Sequence, residues 1–224
     1  MRALSEHRNG AVKREVQPGV WLDSRRALWL AELQLLVVAD LHWGYAASHR
    51  ARGNLLPLWG DEQLASTLDA LIQDFSPKEM LWLGDIVHAA EGSAAAERYL
   101  EAVRTPVCII AGNHDRRWRR AGERSAVRAN YFFHHGDRSP AVPAEVTEVV
   151  GHHHPAIAWY DGAGGSFKLP ALVLGRRRVV LPAFSPWAAG TDCSALLDER
   201  TTTWAIAPQR IFPVVPRQKK PAAA

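Results

Sequence analysis

The apolar and polar positions divide the chain into two halves with different periods. Residues 27–39, ALWLAELQLLVVA, read as two short strands broken near residues 32–34. The second strand is an almost uninterrupted apolar run, the pattern of a strand covered on both faces. It runs straight into Asp40. After Gly60, Asp61 is placed to cap a helix. Leu64, Leu68, Leu71 and Ile72 follow at helical spacing, and Ser76-Pro77 ends the helix. MLWLG is the next apolar strand and meets Asp85; an alanine-rich helix covers about 93–103; PVCIIAG then runs into Asn113-His114-Asp115. From residue 131 the pattern changes to short β-type runs punctuated by Gly and Pro: YFFHH, EVTEVVG, AIAWY, ALVLG, RVVLPAF and TTTWAIA. Two halves that each supply a sheet predict an α/β sandwich with helices outside. The expected organisation is one domain over residues 1–216 and a disordered basic tail over 217–224.

Composition narrows this only a little. With 224 residues, 47% hydrophobic and 22% charged, the chain can bury a sizeable core. MRALSEHRNG lacks the apolar region of a secretory leader, and no apolar run approaches the roughly 20 residues that span a bilayer. Cys108 and Cys193 are too few for a disulfide framework. The expectation is a cytoplasmic protein with no membrane partner. A net charge of +4 and a pI near 9.3 favour a polyanionic partner. The arginines cluster at Arg116, Arg117, Arg119 and Arg120, and again at Arg176, Arg177 and Arg178.

The chemistry sits where the apolar runs end, as it does in open α/β sheets. Asp40 and His42 are two apart, so at a strand end they project to one side. Carboxylate and imidazole without thiolate suit a divalent transition metal better than a structural zinc. Asp85 has two oxygens, one for each of two metals. Asn113 offers a neutral amide oxygen, and His114 beside it is a candidate proton donor. His134 and His135 are adjacent imidazoles, of which one is a candidate ligand. In GHHHP, His152 and His154 share one face of an extended segment while His153 points away. Each residue alone is an ordinary polar residue of a strand end. Five clusters at five strand ends point to a binuclear metal centre.

In that order, DLH, GD, GNHD, HG and GHHH resemble the calcineurin-like binuclear metallophosphoesterases, over roughly residues 35–155. ADLHWGYAASHRARGNLLP, WLGDIVHA, AGNHDR, GHHHPA and the late LPAF resemble one branch more closely, the DNA-ligase-associated DNA damage response endonucleases (PdeM). The resemblance implies a β-sandwich flanked by helices (α/β/β/α). It implies one metal on Asp40, His42, Asp85 and His154, and a second on Asp85, Asn113, His135 and His152. His135 is taken over His134 because it precedes the Gly. It also implies manganese as activator, DNA as substrate, a role in DNA repair, and functional association with a ligase or helicase.

Two metals about 3.5–4 Å apart can share a water and lower its pKa, so that hydroxide attacks phosphorus in line. His114 would then serve as general acid or stabiliser of the leaving oxygen, with Asp115 orienting its imidazole. Four arginines around Trp118 form a candidate phosphodiester track with a stacking platform. Trp43 and Tyr45 are further candidates for stacking, and Arg50 and Arg52 for reaching the phosphate. With nine tryptophans in the chain, core packing is the competing role for each. The combined expectation is a metal-dependent endonuclease acting on single-stranded DNA, since unpaired strands fit stacking and a narrow cleft. One alternative is hydrolysis of a small nucleotide or a pyrophosphate-linked metabolite. Another is an inactive interaction module of the same fold, against which the full ligand set argues.

Overall fold

The computed structural model describes residues 7–8, 10–120, 122–160, 163–193 and 201–214, so the expected basic tail lies outside the described residues. The first half comprises strands β1 (His7–Arg8), β2 (Ala11–Gln17), β3 (Val20–Asp23), β4 (Ala27–Leu30) and β5 (Leu35–Ala39). Helices α1 (Tyr45–Ala51) and α2 (Gly60–Phe75) follow, then β6 (Glu79–Leu83), α3 (Ser93–Ala102) and β7 (Val107–Ile110). These strands form one sheet in sequence order. It is antiparallel as far as β5 and parallel across β5, β6 and β7.

Strand alternation explains the apolar runs. Val37 and Ala39 of β5 and Leu81 and Leu83 of β6 face the core between the sheets. Leu36, Val38, Met80 and Trp82 face the opposite way, against Leu64, Leu68 and Leu71 of α2 and Ala96 of α3. Both faces are covered, so Leu35–Ala39 and residues 80–83 carry no polar residue, and Glu79 stands at the half-buried start of β6. The expected break within residues 27–39 is the turn between β4 and β5, and α2 stops at Ser76 in a left-handed conformation (φ 46°). Asp61 is not the helix cap. Trp59 occupies that position without a side-chain bond, and Asp61 Oδ1 instead accepts the Gly44 N–H at 2.9 Å. That bond ties the start of α2 to the loop beyond His42.

The second half is made of β8 (Ser125–Arg128), β9 (Tyr131–His134), β10 (Thr147–Val150), β11 (Pro155–Tyr160), β12 (Ser166–Leu174), β13 (Arg178–Val180), β14 (Thr191–Asp192), β15 (Thr202–Ala207) and β16 (Arg210–Val214). The order is β14-β11-β12-β13-β10-β9-β8, with β15 paired to β12 and β16 to β15. Phe133, Val149, Leu172, Leu174 and Leu181 pack against the inner face of the first sheet. The α/β sandwich that the two periods predict is the fold the chain adopts. Near the site the two sheets are stitched together: Phe184 N–H donates to the Ala39 carbonyl at 2.7 Å and Ser185 N–H to that of Asp40 at 3.1 Å.

Candidate active site

Parallel neighbours end on the same side of a sheet. The chain therefore leaves β5, β6 and β7 side by side, placing Asp40, Asp85 and Asn113 together. In the facing sheet β9 and β10 are parallel neighbours too, and they deliver His135 and the segment holding His152 and His154. Asp40 (φ 57°), His42 (φ 52°), Asp85 (φ 49°), His152 (φ 63°) and His154 (φ 44°) all adopt left-handed backbone. Such conformations are costly away from glycine and gather at functional sites. They also correct the expected geometry. His42 lies beyond β5, and His152 and His154 lie between β10 and β11, so left-handed turns rather than strand alternation bring each pair round.

Asp40, His42 and His154 can each offer one donor atom within 4.8 Å of the others, and so can Asp85, His135 and His152. His135 Nε2 lies 3.3 Å from Asp85 Oδ1, 3.3 Å from Asn113 Oδ1 and 3.2 Å from His152 Nδ1. His154 Nε2 lies 3.2 Å from Asp40 Oδ1, yet it is buried and makes no hydrogen bond among the described residues. The backbone leaves room for these groups and nothing larger. A Cβ on Gly112 would stand 2.2 Å from Asp85 Oδ1, one on Gly151 2.7 Å from Asp40 Oδ2, and one on Gly84 2.1 Å from His135 Nδ1. An orphaned imidazole nitrogen, buried carboxylates and an amide oxygen converging on two points fit two divalent cations. Their holders would be the seven residues expected from the sequence.

Hydrogen bonds fix the orientation of the donors. His135 donates from Nδ1 to the Leu83 carbonyl at 3.1 Å, which turns Nε2 to the cluster, the usual device for a ligand histidine. Asp40 accepts the His152 N–H on both oxygens, at 3.1 and 3.0 Å. Asp85 accepts the His114 N–H at 2.9 Å. Burial opposes charge on His135, but Asp85, with help from Asp40 and the Leu83 carbonyl, raises its pKa to about 9. Burial likewise opposes ionisation of Asp85, yet His135 holds it well below the usual carboxylate range. Burial dominates at His42 and lowers it to about 3. Cations entering this site would compete with the His135 proton and meet His42 already neutral.

The adjacent histidines separate cleanly. His134 turns its Nε2 to Glu148 Oε1 at 2.7 Å, away from the cluster that His135 joins. His153 is exposed and lies beside Arg178. His114 is exposed at the rim, its Nδ1 hydrogen on the His88 carbonyl at 2.9 Å and its Nε2 3.9 Å from Asp85 Oδ2. Asp115 does not orient that ring. Its two oxygens are taken by the N–H groups of Val87 at 3.0 Å and Gly112 at 2.8 Å. A fully buried carboxylate here braces two ligand loops against each other.

Two stacking expectations are corrected. Trp43 (2% exposed) and Trp118 (5%) are core residues. Trp118 donates its indole N–H to Glu97 at 3.1 Å, so its ring faces α3 rather than solvent. Arg116 and Arg117 are exposed beside His114. Arg50 donates to the Leu56 carbonyl at 3.1 Å. His88 does not stand out from the sequence, although LGDIVH contains it. Its Nδ1 lies 3.5 Å from that of His42, its ring packs on His114 with centroids 5.0 Å apart, and burial lowers its pKa to about 4.

Paired Asp and His clusters on the loops of a two-sheet α/β sandwich are the architecture of metal-dependent phosphoesterases. The chain belongs to the calcineurin-like phosphoesterase family, which it matches over residues 33–176. It is thereby a hydrolase of a family that uses divalent metals. Among solved structures it is similar to Pseudomonas putida nuclease MPE, with 22% identity and a TM-score of 0.69, covering 91% of this chain and 100% of that one. At that identity the likeness is one of fold. No curated protein matches the chain.

Proposed function

We propose that the protein is a DNA endonuclease of the ligase-associated repair type, cutting single-stranded DNA with manganese as activator. One observation carries the reading. The seven metal-holding candidates converge behind an exposed histidine, and that histidine is followed directly by exposed Arg116 and Arg117. A rim that is cationic and open to solvent suits a polymer of phosphodiesters. The nuclease named among the similar structures supports the same substrate class.

Two bound cations would supply phosphate neutralisation and activation of a nucleophilic water. The chain's own residues do the rest. Asp40, Asp85 and His135 hold fixed positions because further hydrogen bonds to the backbone constrain them. His114, anchored through Nδ1, keeps Nε2 free to pass a proton to the leaving oxygen. Asp115 holds the Asp85 and Asn113 loops at the spacing this needs. A second reading has its own support. A cavity of about 650 Å³ adjoins His154 and is lined by Tyr160, Phe167 and Lys168, a size and chemistry suited to one nucleotide.

The test is metal-stripped protein incubated with single-stranded DNA, duplex DNA and bis-p-nitrophenyl phosphate, with Mn²⁺, Mg²⁺ or Zn²⁺ added in turn. Asp85→Ala runs alongside. Manganese-dependent cutting of single strands, absent in the variant, is the expected outcome. Hydrolysis of the small diester with DNA left intact would replace the proposal by the nucleotide reading.

A further inference from the structure

From His114 a row of aromatic rings crosses the surface to the start of α2. His88 packs on His114 at 5.0 Å between centroids, and Tyr45 packs on His88 at 4.6 Å and on His49 at 4.4 Å. Trp187 lies parallel to Tyr45, 6.2 Å away with only 8° between planes, and Trp59 packs on Trp187 at 4.8 Å. No step exceeds 6.2 Å. His49, His88, Tyr45 and Trp187 are half-buried, while Trp59 is 47% exposed.

The row is built rather than accidental. Trp187 is seated directly on Gly60, where a Cβ would lie 2.1 Å from its indole nitrogen, so the ring cannot sink further in. α1, which supplies Tyr45 and His49, carries no acidic residue in YAASHRA and ends in exposed Arg50 and Arg52. Exposed Leu55 and Leu58 follow in the same connection to α2. Partly exposed aromatic rings that start at His114, with exposed Arg50 and Arg52 at the end of α1, supply what an unpaired strand needs: rings for bases and charges for phosphates.

We propose that Trp59, Trp187, Tyr45, His49 and His88 form a stacking track for the unpaired bases of a DNA strand, leading it to His114. The proposal rests on the nuclease reading and adds the path the strand takes. It gives that reading a physical basis for strand preference, because paired bases present no free face to these rings. It keeps the stacking role expected of Tyr45 and moves that of Trp43 and Trp118, whose rings are buried, to Trp59, Trp187, His49 and His88.

The experiment measures binding of the full chain, with metal chelated so that nothing is cut, to a labelled oligothymidylate and to an abasic oligomer of equal length. The expected result is preference for the base-containing strand by about tenfold. Trp59→Ala should lose most of that preference while Trp59→Phe keeps most of it. Equal melting temperatures of the three proteins establish that the fold is not the cause. Equal affinity of the unaltered protein for both oligomers, or an unchanged ratio in Trp59→Ala, overturns the track. Cutting of single strands by the manganese-loaded protein separates the two claims. If it cuts but shows no base preference, the track fails and the nuclease reading stands. If it neither binds nor cuts DNA, both fail.

Discussion

The Nδ1 hydrogen of His114 rests on the main-chain carbonyl of His88, 2.9 Å away. A carbonyl can only accept, so this hydrogen bond fixes which nitrogen carries the permanent hydrogen and leaves Nε2 to face the substrate. If His114 protonates the leaving oxygen, His114→Ala should lower kcat on single-stranded DNA by about 10²–10⁴-fold. Metal content should be unchanged. Bis-p-nitrophenyl phosphate, whose leaving group departs without a proton, should suffer far less. Equal losses on both substrates would exclude proton donation.

The Asp85 carboxylate belongs to one cluster, and its charge also acts on His42 of the other. It is grouped with His135 and His152 and lies 3.9 Å from the rim imidazole of His114. Asp85→Ala should remove hydrolysis and reduce the bound metal measured by atomic emission. It should also destabilise the metal-free protein by about 3 kcal/mol, because the buried charge of His135 loses its nearer carboxylate and keeps only Asp40, 3.8 Å from Nδ1. A variant that retains two metals per chain would show that Asp85 is not shared.

Acid and alkali should destabilise the chelated protein for different reasons. An unfolded histidine takes up a proton near pH 6.5, but buried His42 does so only at about 3 and His88 at about 4. Protons are thus bound preferentially by the unfolded chain in that window, and stability falls as pH drops from 6.5. His135 works in the opposite sense. Its pKa is raised to about 9, so its contribution is full below 6.5 and is lost as pH rises through 9. Tm measured against pH in chelator should therefore peak near 6.5. A Tm that climbs steadily from pH 6.5 to 9 would contradict the assignment of His135 as the charged partner of Asp85.

Arg116, Arg117 and Arg119 are exposed, and Arg120 reaches Glu101 at 3.4 Å across the surface. Their combined replacement by alanine should weaken DNA binding and flatten its dependence on salt. Every phosphate that is no longer neutralised should reduce the slope by about 0.7 for a single strand. Hydrolysis of the small diester should change little. Matching losses on both substrates would assign these arginines to the fold of the His114 loop.

Local sequence determined the strands and the chemistry carried at their ends. In Leu35–Ala39 and residues 80–83 every position is apolar because helices cover one face and the second sheet the other, and that double burial is written residue by residue. The order of carboxylates, amide and imidazoles after each strand was legible for the same reason: a polar residue is tolerated where the strand emerges. β2 and β3 have no such local signature. Charged and apolar positions mix there, and only pairing across the sheet stabilises them.

Other features belong to the tertiary structure. His134 and His135 are chemically identical neighbours, and only the parallel pairing of β9 with β10 places Glu148 beside one and leaves the other to the metal cluster. Asp115 follows His114 in sequence, yet its oxygens are claimed by backbone N–H groups of two loops. Trp43 and Trp118 adjoin the motifs but turn inward. Trp187, far along the chain from Tyr45 and Trp59, packs between them. Periodicity encodes how deeply a residue is buried. Which side chain it meets is decided by packing between segments distant in sequence, and no local pattern contains that information.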